Sequence, residues 1–257
     1  MSYEIVFFDI DGTLVNEEKN IPEDTKAAVQ ELKQQGVEVA IATGRAPFHF
    51  KHIAEELGIE SFVSFNGSYV VYKGQPIYGS PLNIDSIEWL EIIANEKGHP
   101  MVFLSHETCY ANQDMHPYVT QSFESLKVPA PDYHACYWKE QHIYQALLFC
   151  KEEERSPYEG IIPDLSFVRW HPYSLDVIPS KGSKAIGIQA MLKHLGLSAA
   201  EAVAFGDGLN DKEMLSYVGV GIAMGNAHVE LKPLANFITK HVDEGGIRFG
   251  LEKLQLI

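Results

Sequence analysis

Four short polar runs carry residue types that could do chemistry together. The first is Asp9-Ile10-Asp11-Gly12-Thr13-Leu14. In an extended segment, side chains two apart point the same way. Asp9 and Asp11 can therefore face one site while Ile10 points away, and Gly12 permits a sharp exit from the strand. A carboxylate can attack phosphorus and form an aspartyl phosphate. A second carboxyl two residues on can protonate a leaving oxygen, provided its pKa is tuned upward. The plainer readings are a turn at Asp11-Gly12 and a calcium loop. The calcium loop fails, because its sixth position is Leu14 where Gly is needed and its twelfth is Asn20 where Glu is needed.

The second run is Thr43-Gly44-Arg45. A hydroxyl and backbone N–H groups at the end of a strand can hold phosphate oxygens; an ordinary strand-to-helix turn is the simpler account. The third is Ser180-Lys181-Gly182-Ser183-Lys184. A lysine at the start of a helix is mismatched to the helix dipole, and a bound phosphate would remove the mismatch. Lys184 and Lys181 both qualify. The fourth is Gly206-Asp207-Gly208-Leu209-Asn210-Asp211. Asp207 and Asp211 suit a hard, oxygen-seeking cation, while Asn210 could alternatively cap a helix.

These runs need elements to position them. Ile5 to Phe8, Val37 to Ala42, Ser61 to Phe65, Ala202 to Phe205 and Val220 to Ala223 read as strands, with a weaker one at Phe237 to Thr239. Helical spacing follows Pro22 up to Gly36, recurs over Phe50, Ile53, Ala54 and Leu57, and returns over Ile186, Met191, Leu192 and Leu195. A short terminal helix is expected from about Gly245. Alternating strands and helices imply a parallel sheet with helical crossovers. Asp9, Thr43 and Asp207 each follow a different strand at the end where open parallel sheets bind ligands.

Between the second and third runs the rhythm changes. Lys73-Gly74-Gln75 reads as the turn of a hairpin, and Asp85 with Glu88 as a capping box before a helix ended by Gly98. Strands are expected at Met101 to Leu104, Ile143 to Phe149, Ser166 to Trp170 and Leu175 to Ile178, and a loop at Val128 to His134. The expected architecture is α/β: a Rossmann-like parallel-sheet core with helices on both faces, formed by residues 1–81 and 180–257. An inserted α+β cap is expected over 82–179, where it should select the substrate. Tyr110, Trp138, Tyr144, Trp170 and His171 lie in this cap; they either line a lid or fill the cap's own core. Asn66-Gly67 is either a turn or a border of the site. His49 and His52 read as surface histidines, and Glu152-Glu153-Glu154 as a solvated face.

Composition narrows the partners. The formal charge is -15, which should repel nucleic acid and anionic membrane surfaces. An anionic small molecule would then need locally placed cations. The 257 residues, 46% hydrophobic, suffice for a buried core without staples. Three cysteines, Cys109, Cys136 and Cys150, show no C-x-x-C spacing. Together with the absence of a signal-peptide pattern or a long apolar run, they suggest a cytoplasmic protein. Oligomeric state is not readable from the chain.

In this order, the four runs resemble those of the haloacid-dehalogenase-like phosphatases, and the resemblance covers nearly the whole chain. Only 32 residues separate Asp11 from Thr43, whereas 141 separate Thr43 from Lys184. The cap therefore follows the second run, as in the Cof-type, or type IIB, branch. The resemblance implies Asp9 as nucleophile and Asp11 as general acid/base. It implies Mg²⁺ held by the Asp9 carboxylate, the Asp11 carbonyl and Asp207, with Asp211 in support, directly or through water. It implies phosphate contacts from the Ile10 N–H, Thr43, Gly44, Lys184 and Asn210, and Arg45 belongs with this group. The third run is the loosest match, since Ala185 follows Lys184. The implied activity is hydrolysis of a small phosphomonoester such as a sugar phosphate, flavin mononucleotide or pyridoxal phosphate. The rivals are a phosphotransferase or phosphomutase on the same fold, and a non-catalytic regulatory protein that binds a phosphate ligand.

Overall fold

The computed structural model describes residues 3–257. The chain forms two compact units. One comprises His49–Gly79, Ser183–Ile257 and the N-terminal segment up to Arg45; the other comprises Ala46–Phe48 and Ser80–Gly182.

The first unit opens with β1 (Ile5–Phe8), α1 (Glu23–Gln34), β2 (Glu38–Ala42), α2 (Pro47–Leu57, whose first two residues belong to the other unit), β3 (Phe62–Ser64), β4 (Tyr69–Tyr72) and β5 (Gln75–Gly79). β1 is apolar at every position because both its faces are covered, as parallel strands require. Burying each such side chain contributes about 1.5–3 kcal/mol. Phe8 stacks on Phe205 with ring centroids 5.1 Å apart.

The second unit contains α3 (Ile84–Lys97), β6 (Met101–Leu104), β7 (Cys109–Ala111), α4 (Pro117–Ser125), α5 (Tyr137–Glu140), β8 (Gln145–Phe149), β9 (Leu165–His171) and β10 (Ser174–Pro179). Its five strands are ordered β7-β6-β8-β10-β9, every pairing antiparallel. Alternate positions, among them Met101, Phe103, Ala146, Leu148, Leu175 and Val177, face one apolar core with α3. Trp138 and Tyr144 are buried, and Trp138 Nε1 donates to Glu91 Oε2 at 2.9 Å, which satisfies its polar tip. Trp170 and His171 are half-buried.

The chain then returns to the first unit with α6 (Lys184–Leu195), β11 (Ala202–Gly206), α7 (Lys212–Tyr217), β12 (Val220–Ala223), β13 (Phe237–Ile238) and α8 (Gly246–Lys253). Its sheet runs β13-β12-β11-β1-β2-β3-β4-β5. It is parallel from β13 to β3, and the β4–β5 hairpin extends the edge antiparallel. α1 packs against α8 and α6 against α7. The β1 pairings to β2 and β11 set Ile41 and Phe205 level with Phe8. The residues that follow β1, β2 and β11 thus emerge at one end of the sheet.

Three features of the second unit differ from the sequence expectations. The α3 start is capped by Asn83, whose Oδ1 accepts the N–H groups of Asp85 (2.8 Å) and Ser86 (3.3 Å). Asp85 therefore sits inside the first turn, where its charge suits the dipole, and no capping box with Glu88 forms. α4 was hidden because its N-cap is His116, an unusual capping residue whose Nδ1 accepts the Tyr118 N–H at 3.2 Å. Pro117 at its first position was the available signal. The three residues of β7 and four of α5 are too few to show a period. Replacing Asn83 with Ala should cost about 1 kcal/mol of stability, whereas Glu88→Ala, on an exposed face, should change it by less than about 0.5 kcal/mol. Urea denaturation of both variants checks this.

Candidate active site

Asp9 continues β1, and its N–H donates to the Phe205 carbonyl at 3.0 Å. That pairing directs a buried carboxylate to the end of the sheet. Lys184, the first residue of α6, is wholly buried. Its Nζ donates to Asp9 Oδ1 at 2.5 Å and to Asp211 Oδ1 at 2.6 Å. Lys181, the competing lysine, is exposed and belongs to the other unit. The dipole mismatch at Lys184 is thus met here by two carboxylates.

Asp211 is also wholly buried, and its Oδ2 accepts the N–H groups of Asp207 and Gly208, each at 2.9 Å. This carboxylate, and not Asn210, organises the turn after β11. Asp207 Oδ1 accepts the Thr13 hydroxyl at 3.1 Å. The Gly12 backbone, at φ +76°, lies so close that a Cβ there would come within 2.2 Å of Asp207 Oδ2. Only glycine combines that conformation with that approach. Ile10 buries its side chain, while its carbonyl accepts the N–H groups of Leu14 and Val15 at 2.9 Å each.

Asp9, Asp207 and Asp211 offer carboxylate oxygens that all lie within 4.8 Å of one another. Among the described residues this is the one acidic or histidine group placed to hold a metal ion; His49 and His52 join no such group. Three hard oxygen donors fit a cation such as Mg²⁺ or Ca²⁺ and not a soft one. The electrostatics agree. Burial first, then the repulsion of Asp211 and Asp207, pushes the Asp9 carboxyl above the usual range against the pull of Lys184. Burial and Asp211 push Asp207 up to about 6. Burial opposes charge on Lys184, but Asp211 and Asp9 outweigh it and hold the ammonium above its ordinary pKa. A cation among these oxygens would relieve their mutual repulsion.

Asp11 faces a different set of partners. Arg45 Nε donates to its Oδ2 at 2.8 Å and Arg45 Nη2 to its Oδ1 at 2.5 Å, while Lys19 Nζ reaches Oδ1 at 2.7 Å. Burial acts against the charge, but the hydrogen bonds from Arg45 and Lys19 lower its pKa below the ordinary value. The upward tuning expected of a proton donor is therefore absent in this arrangement, because two cations share one carboxylate. Arg45, expected beside phosphate, is instead bidentate on Asp11.

Thr43 is buried, and its hydroxyl accepts the Arg45 N–H at 3.1 Å, which closes the turn after β2. Asn210 is exposed, and its Nδ2 donates to Asn66 Oδ1 at 3.3 Å. The site also contains groups that sequence reasoning missed. Lys19 gave no signal, being a lysine in a polar turn. Asn226 follows β12 at the same end of the sheet. It donates to the Gly12 carbonyl at 2.8 Å and accepts the Val242 N–H at 3.0 Å, tying two loops together. The strand-end rule applied to β12 would have found it.

Comparison with known proteins places the chain in a class of hydrolase. Residues 6–251 match the model of the haloacid dehalogenase-like hydrolases. The chain belongs to that family. Over 257 residues, the whole of both chains, it is 46% identical to "Putative phosphatase YkrA" of Bacillus subtilis strain 168. A solved hypothetical protein from Geobacillus kaustophilus HTA426 superposes with a TM-score of 0.97 at 53% identity, with full coverage of both chains. The subclass IIB sugar phosphatase BT4131 superposes with a TM-score of 0.82 at 28% identity, covering 99% of this chain and 100% of its own. The protein is an enzyme of the phosphatase type, with the α/β core and cap of that subclass. No helix among the described residues is long and apolar enough to cross a membrane.

The raised Asp207 pKa fixes the sign of a test. An acid whose folded pKa is raised contributes stability below its unfolded pKa, near 3.8, that is lost as pH rises through about 6. A divalent cation should restore that stability only where the carboxylates are ionised. Saturating magnesium chloride, at constant ionic strength, should therefore raise Tm at pH 7 by roughly 5 °C or more. The rise should shrink at pH 5 and vanish in Asp207→Asn, as followed by differential scanning calorimetry.

Proposed function

We propose that the protein is a Mg²⁺-dependent phosphatase that hydrolyses small phosphomonoesters through an aspartyl phosphate on Asp9. The observation that carries this reading is the buried contact of Asp9 with Lys184 beside Asp207 and Asp211. It supplies a nucleophilic oxygen, a fixed cation and a metal-binding oxygen set at one point.

Asp9, Asp207 and the Asp11 carbonyl would hold Mg²⁺, with Asp211 in support. Bound there, the ion supplies positive charge to the phosphoryl oxygens. Lys184, Thr43, Gly44, Asn210 and the Ile10 N–H bind and orient the phosphate. Asp9 Oδ forms a bond to phosphorus as the bond to the leaving oxygen breaks, and Asp11 gives that oxygen a proton. Water then attacks phosphorus, passing its proton to Asp11, and the bond to Asp9 breaks. Stabilising charge on the transferring group is most of what such catalysis requires. Before Asp11 can carry a proton, its ion pairs with Arg45 and Lys19 must open. The entering substrate, whose phosphate competes for Arg45, provides the occasion.

The likeness to a sugar phosphatase favours sugar phosphates over flavin mononucleotide and pyridoxal phosphate. The residues 82–179 act as the specificity cap, and the anionic, reduced-cysteine character of the chain fits a cytoplasmic enzyme. Asp9→Asn should bring Mg²⁺-dependent phosphate release from p-nitrophenyl phosphate below about one-thousandth of the wild-type rate. Lys181→Ala should keep it within about threefold. Wild-type-like turnover in purified Asp9→Asn would refute the reading.

A further inference from the structure

Asn66 lies outside the roles assigned so far. Phe65, Asn66 and Gly67 are three consecutive residues in the left-handed region, at φ 50°, 51° and 99°. For a buried aromatic such as Phe65 this is an outlier. Strain of this kind persists only where the surroundings over-determine it, and here they do. The Phe65 N–H donates to the Arg45 carbonyl at 3.3 Å and the Asn66 N–H to the Thr43 carbonyl at 3.1 Å. A Cβ on Gly67 would fall 2.0 Å from the Ser183 carbonyl oxygen, so the turn abuts the first turn of α6, which begins at Lys184.

The turn therefore touches the second and third runs through its backbone, and it touches the second and fourth through one side chain. Asn66 Oδ1 accepts Asn210 Nδ2, and the same carboxamide lies 3.0 Å from where a Cβ on Gly44 would stand. If conformation alone mattered, glycine would serve better at φ 51°. Asparagine is the side chain that both tolerates this region and can accept a hydrogen bond without bringing charge. Asp would tolerate it too, but would set a carboxylate where an anion is to bind.

We propose that Asn66 is a positioning residue of the phosphate site, whose carboxamide holds Asn210 and the Gly44 peptide in register for the phosphate. This rests on the phosphatase reading above. Asn210 is exposed on a three-residue turn, Leu209–Asp211. Without its partner, its amide must give up rotamer freedom each time phosphate binds.

The test uses the full-length protein with Mg²⁺ and inorganic phosphate as the probe. Asn66→Gly keeps the left-handed turn and removes the carboxamide. It should melt as the wild type does, yet bind phosphate about fivefold to tenfold more weakly by titration calorimetry. For p-nitrophenyl phosphate the loss should fall more on KM than on kcat. Asn66→Asp should bind phosphate more weakly still. In the double variant Asn66→Gly/Asn210→Ala, the loss should be smaller than the product of the two single losses, because one residue acts through the other. Wild-type phosphate affinity in Asn66→Gly, or strictly multiplicative losses, would overturn the proposal while leaving the phosphatase reading intact. Should Asn66→Gly fail to fold, Asn66→Asp decides, and wild-type affinity there overturns it. A wild-type protein that neither hydrolyses the ester nor binds phosphate would overturn both.

Discussion

The Lys184 ammonium is enclosed between the Asp9 and Asp211 carboxylates with no exposure to solvent. Taking these charges out of water costs several kcal/mol per ion, and their attraction offsets that only when the geometry is good and the remaining lone pairs are satisfied. The geometry is short on both sides, and Asp211 meets the second condition as well. Asp211 spends its second oxygen on the N–H groups of Asp207 and Gly208, so the same carboxylate that holds the lysine also folds the turn that presents Asp207. Losing one partner from such an arrangement strands a buried charge, at about 3–5 kcal/mol. The sheet register, the glycine at position 12 and the start of α6 all serve to bring these groups to one point.

The cluster is over-supplied with negative charge on its inner side and with positive charge on its outer side. Asp9 and Asp211 share one lysine with Asp207 close beside them, whereas Asp11 alone is shared by Arg45 and Lys19. In a chain of net charge -15, Lys184, Arg45 and Lys19 bring three cations to the strand ends. The inner surplus suits a metal ion and the outer surplus suits a phosphate. The ion pairs with Arg45 and Lys19 hold the Asp11 carboxyl below its ordinary pKa.

Much of the core was legible because its signals are local and redundant. Ile5 to Phe8 is too apolar for anything but a covered strand, and the first, second and fourth polar runs each follow such a strand. The acidic runs at 9–14 and 206–211 announce themselves by residue type. What stayed hidden depends on contacts far apart in sequence. The local residue pattern leaves Lys184 and Lys181 level and only the family resemblance favours Lys184; its burial between Asp9, 175 positions away, and Asp211 is a long-range contact that no local signal shows. The downward shift of Asp11 arises from Arg45, 34 positions on, and from Lys19, whose turn has no periodic signature. The left-handed turn at 65–67 hides behind an aromatic residue that ordinarily argues against positive φ. In the second unit, α4, α5 and β7 are short, α4 is capped by a histidine and α5 has no side-chain cap, so tertiary packing decides them.

The central claim is that the Asp9 carboxylate becomes covalently phosphorylated during turnover. Acid-quenching the wild-type protein during hydrolysis, reducing with borohydride and sequencing the peptides by mass spectrometry tests it directly. Borohydride converts an acyl phosphate at Asp9 to homoserine, so the account predicts homoserine at position 9, dependent on both substrate and Mg²⁺. Reduction at Asp11 or another carboxylate, or none in a protein shown to be turning over, would contradict it.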